Sequence, residues 1–152
     1  MPRKIKLVFH SSDNYRLIAI VSPLKEYRLA FAVNQELEFD FERCDDLAYA
    51  YSGDIMGTYA WYHFKDLNTN TVFYLIGNRH PGGNLIPSVK SADFFILIKN
   101  IHDTDEIKAY INKLKSIPNI ITALEVNPET VKDLEMLLDI NELHEMEQLN
   151  RC

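Results

Sequence analysis

From Phe94 to Ile98 the chain runs Phe-Phe-Ile-Leu-Ile, five apolar residues with no polar alternate, bracketed by Asp93 and Lys99. A strand with one wet face alternates in character, so an unbroken run predicts a central strand covered on both faces. Tyr15 to Val21 is apolar and β-branched enough for a second buried strand. Ile5, Leu7 and Phe9, and again Leu37, Phe39 and Phe41, alternate with polar or charged neighbours in most places, the period of half-buried strands. Between Tyr49 and Tyr74 aromatic residues are separated by short polar turns, which predicts an antiparallel meander pairing Thr58–Lys65 with Thr71–Asn78. Ile120–Val126 reads as a further strand.

Helix signals fall between these runs. Ser22-Pro23 offers a cap and a first-turn proline, with Leu24, Tyr27, Ala30 and Phe31 at helical spacing to about Glu36. Asp103 or Thr104 opens a helix to about Ser116 that buries Ile107, Ile111 and Leu114. Asn127-Pro128 starts a third, packing Val131, Leu134, Leu137 and Leu138 and running to about 147. The expected fold is therefore α+β: a single domain with a mainly antiparallel sheet of six or seven strands, about three helices and a C-terminal β-α-β-α segment. Its body spans 1–138, and 139–152 forms an acidic, helical extension in which Ile140, Leu143, Met146 and Leu149 keep a spacing of three. A chain of 152 residues fits one core without staples.

Charge narrows the function classes. Residues 125–152 hold eight acids and two bases, whereas the other 124 hold 14 of each, so the C-terminal part carries the whole net charge of −6. Nucleic-acid binding draws its affinity from a basic face, and none is legible here. The basic cluster Lys108, Lys113 and Lys115 reads as one solvated helix face. The N-terminal apolar run stops at His10, too short for a signal segment or membrane span. Two cysteines, Cys44 and Cys152, predict neither a disulfide framework nor a thiolate metal site, which fits a cytoplasmic protein. The five histidines lie at no ligand spacing, so no metal and no cofactor are expected.

The remaining candidate is the loop Asn78-Arg79-His80-Pro81-Gly82-Gly83. Arg79 and the amides of Gly82 and Gly83 could clamp a phosphate or carboxylate, with His80 as acid or base and Asp93 beside them. The other reading pairs Arg79 with Asp93 and makes the glycines a wide hairpin connection. The spacing lacks the Gly-Lys-Ser/Thr of a phosphate loop.

The residues that follow, Ile86-Pro87-Ser88, Val89-Lys90-Ser91, Ala92-Asp93-Phe94, resemble the signature of the bacterial IPExxxVDY family of the Bacteroidota. The resemblance extends to Leu24–Leu29, to Asn78-Arg79 with Gly82-Gly83, and to Lys115–Pro118, covering roughly residues 4 to 138. Ser88, Ala92 and Phe94 depart from the signature's Glu, Val and Tyr. A serine cannot replace a carboxylate as acid, base or metal ligand, so the resemblance argues against an enzyme working through that position. It implies a fold and a lineage but no substrate. The leading expectation is a non-enzymatic cytosolic interaction or adaptor module, engaging a protein partner or a second copy of itself through the Arg79–Asp93 surface and the acidic tail. The alternative is a binder of, or enzyme acting on, an anionic metabolite at the glycine loop.

Overall fold

The computed structural model describes residues 15–52, 55–101 and 103–149. Six strands form one sheet: β1 (Tyr15–Val21), β2 (Glu42–Arg43), β5 (Trp61–Asp66), β6 (Thr71–Gly77), β7 (Phe94–Lys99) and β8 (Thr122–Val126), in the order β2-β5-β6-β7-β1-β8. Every neighbouring pair is antiparallel. A separate hairpin joins β3 (Leu47–Ser52) and β4 (Ile55–Tyr59). Because β1 runs antiparallel to both flanking strands, β7 and β8 are parallel to each other across it, and the helix α2 (Thr104–Lys115) connects them as a split crossover.

The unbroken apolar strands have the predicted cause. Leu17, Ala19, Tyr74, Ile76, Phe95 and Leu97 point to one side of the sheet, and Ile18, Ile20, Phe73, Leu75, Ile96 and Ile98 to the other. The second side is covered by α1 (Glu26–Leu37) and α2, the first by α3 (Leu134–Gln148) together with residues of the β3–β4 hairpin and the loop after β6. The fold is the α+β single domain expected, and the expected meander is β5 paired with β6, Trp61 facing Ile76 and Asp66 facing Thr71. Among the described residues no helix is long and apolar enough to cross a membrane.

Five expectations change. The first helix starts at Glu26, not Pro23, because the Ser22 hydroxyl is engaged in a local turn: it accepts from Leu24 N at 3.2 Å and donates to the Asn119 carbonyl at 2.8 Å. That helix buries Leu29, Ala30, Val33 and Leu37, while Tyr27 and Phe31 stay outside, 58 % and 64 % exposed. The strand expected over 37–41 is only Glu42–Arg43. Glu38 takes a left-handed φ of 59° to end α1, and the Asn34 side chain bonds both the N–H and the carbonyl of Phe41, at 2.9 and 3.2 Å. Pro128–Thr130 forms a separate 3-10 turn, and α3 begins only at Leu134. Cys44 is disulfide-bonded, so cysteine usage no longer argues for a reducing compartment. The expected strand at Ile5–Phe9 lies outside the described residues, as does Cys152.

Candidate functional site

The loop after β6 is organised by a residue that the glycines overshadow in the sequence. Asn78 is fully buried, its Oδ1 accepting from Ile86 N at 2.7 Å and its Nδ2 donating to the carbonyls of Ala92 at 2.9 Å and Val89 at 3.3 Å. Its own N–H donates to the Asp93 carbonyl and its carbonyl accepts from Leu85 N, both at 2.9 Å. One amide thus supplies the bonds that a strand would otherwise give to residues 85–93, a requirement for any backbone held inside a fold. The only sign of it in the sequence is a polar side chain ending an apolar run.

Around this hub the predicted residues separate. Arg79 Nε donates to Asp93 Oδ1 at 2.8 Å, and Asp93 Oδ2 accepts from Ser22 N at 2.8 Å. Both line an open depression of about 470 Å³ with Arg43 and Asp46, themselves paired at 2.6 Å, and Glu26, 3.8 Å from Arg43. Each guanidinium there faces a carboxylate. His80 Nδ1 accepts from Gly82 N at 3.0 Å, and the His80 carbonyl accepts from Gly83 N at 2.9 Å, so both glycine amides are engaged within the loop. Gly83 needs its missing Cβ, since φ is 150°. Gly82 and Gly83 line a different depression, with Tyr49, Asp133 and Met136. The structure therefore joins Arg79 to Asp93, engages His80 within the loop and turns Gly82 and Gly83 toward another surface. Among the described residues no group of three or more His, Cys, Asp and Glu side chains could hold a metal ion.

A second constellation, absent from the sequence reading, lies beneath α3. Trp61 Nε1 donates to Asn141 Oδ1 at 2.8 Å. His63 Nε2 and the Tyr74 hydroxyl donate to the two oxygens of Glu145 at 3.0 and 2.8 Å. Tyr15 donates to Glu142, which Lys99 Nζ approaches at 3.4 Å. His144 Nε2 donates to the Asp45 carbonyl at 2.8 Å, and Gln148 Oε1 accepts from Asp45 N at 3.0 Å. Burial, then the neighbouring carboxylates, push the phenols of Tyr15 and Tyr74 well above the ordinary tyrosine range, so both stay protonated donors. Burial alone would raise Glu145, but the hydrogen bonds from His63 and Tyr74 and the charge of Lys99 outweigh it and hold its carboxyl below the usual value.

The first turns of α3 bury Leu134, Leu137 and Leu138 as expected, and these contacts hold its C-terminal half by polar side chains instead. Asn141, His144 and Gln148 are buried, whereas Leu143, Met146 and Leu149 are 63 %, 63 % and 66 % exposed. Ile140 alone of the predicted stripe packs partly against the core. Beside Leu143 a groove of about 380 Å³ opens, walled by Asp45, Asp46 and Glu147. The helix carries five acids and neither Lys nor Arg. Neither a family model nor a curated protein sequence matches the chain.

Proposed function

We propose that the protein is a non-enzymatic interaction module whose contact face is the outward side of α3. The observation that carries this reading is the exposed apolar stripe on the C-terminal half of that helix. A fully buried Leu or Met side chain contributes about 1.5–3 kcal/mol, and a helix that is merely a lid would turn Leu143 and Met146 inward. In its first turns the helix is anchored by the buried Leu134, Leu137 and Leu138, and beyond them the inward positions are polar and fixed by named partners on β1, β5 and β6 and in the segment before β3, which orients the apolar stripe toward solvent. The flanking acids favour a partner that presents apolar residues rimmed by Lys or Arg. The reading uses no catalytic residue, metal or cofactor. Kinship with the IPExxxVDY proteins belongs to the same proposal, supported by the structural work of Ile86, which is buried, and of Asp93, which bonds Ser22 N.

The test is paired affinity capture with the wild-type protein and a Leu143→Glu/Met146→Glu variant, with cross-links mapped by mass spectrometry. Both positions are exposed, so the variant should fold and melt like the wild type. A protein retained by the wild type, cross-linked near residues 143–149 and lost with the variant is the expected result. Equal retention of the same proteins by both would overturn the reading.

A further inference from the structure

We infer that the stripe on α3 docks on a groove of a second copy of this chain, formed by the outer side of α1 and the end of α2; this rests on the reading of α3 as a contact face. The groove has a volume of about 560 Å³ and is lined mainly by apolar atoms, with Leu24, Tyr27, Phe31, Ile117 and Pro118 as its walls. Tyr27 and Phe31 stand outside because Leu29, Val33 and Leu37 occupy the core side of α1, while Leu24 is partly buried and Ile117 buried at the floor. Arg28 is the one charged residue that lines it; Lys25, Lys113 and Lys115 are exposed within four residues of its lining positions in the chain, while Glu26 faces Arg43 in the other depression.

Charge selects the occupant. The groove is apolar with a basic rim, and the α3 stripe is apolar with an acidic one: Glu135 and Glu147 are exposed beside it and no Lys or Arg lies on the helix. Two α3 stripes facing each other would bring like charges together, and so would two grooves, so a stripe meeting a groove is the pairing that electrostatics favours. The two surfaces also lie over opposite sides of the central sheet, which keeps a chain from filling its own groove with its own stripe. The contact is therefore head-to-tail between copies and does not close on a dimer, leaving one free stripe and one free groove at the ends.

Sedimentation velocity over a concentration series tests this. The wild-type protein should exceed its 17.7 kDa monomer mass progressively with concentration, and the association should weaken as salt is raised from about 0.05 to 0.5 M. Phe31→Glu and Met146→Glu, each losing one of the two surfaces, should be folded monomers when alone. Mixed, they should form a 1:1 dimer, since Met146→Glu keeps the groove and Phe31→Glu keeps the stripe. Monomeric wild-type protein throughout the series, or an associating wild type whose two variants do not complement each other, would overturn the inference. In either case capture of a different protein by α3 would still stand or fall on its own experiment.

Discussion

At the scale of single residues, Asn78 and Arg79 are neighbours with opposite expected consequences. Asn78 satisfies three backbone groups while fully buried, so Asn78→Ala leaves buried donors and acceptors unpaired and should cost roughly 2–4 kcal/mol. Arg79 is half exposed and its bond to Asp93 is screened, so Arg79→Ala should cost less than about 1 kcal/mol. Urea denaturation of the two variants checks the order, and an equal or reversed order would remove Asn78 from the centre of the loop. Sequence drew the eye to Arg79, His80 and the glycines because their types are those of anion sites. Asn78 gave no such signal, since its partners, 8 to 14 residues onward, are main-chain groups that carry no side-chain identity.

At the scale of elements, strands were the most legible part of the chain and helix faces the least. An apolar run of the right length fixes β6 and β7 whatever covers them. α1 has two apolar stripes, one through Tyr27 and Phe31 and one through Leu29, Val33 and Leu37, and periodicity alone does not say which meets the sheet. The attachments of α3 were illegible for a different reason: Trp61, Asp45 and Tyr15 reach Asn141, His144 and Glu142 across 80, 99 and 127 residues of sequence. One of these attachments sets an acid limit. Glu145 has a folded pKa below its ordinary 4.5, so its contribution is complete above that value and is lost as the pH falls through it toward the lower folded one. Melting curves from pH 6 down to about 3 should show the gap between wild type and Glu145→Gln closing on the acid side. A gap that stays constant or widens there would contradict the role given to the carboxylate.

At the scale of the whole molecule, the Cys44 disulfide is the clearest departure from what composition implied. Cysteine count predicts a framework only when cysteines are many, and one bond leaves no compositional trace. A crosslink restricts the unfolded chain, so reduction should lower stability by about 2–4 kcal/mol and bring the wild type to the level of Cys44→Ser, itself indifferent to reductant. A wild type whose melting temperature ignores reductant would show that the bond carries no stability. The position of β1 has a separate consequence, for the order in which the molecule can be made. Its register partners, Phe94–Lys99 and Thr122–Val126, leave the ribosome long after Tyr15–Val21. A strand with Ile18 and Ile20 fully buried in the finished sheet must therefore wait, apolar and unpaired, until residues 94–126 have been made, and Trp61, His63 and Tyr74 wait for α3, made later still. Folding of the sheet thus waits for synthesis to pass α3, and a nascent chain stalled before residue 134 would hold one side of its sheet without that helix in front of whatever chaperone reaches it first.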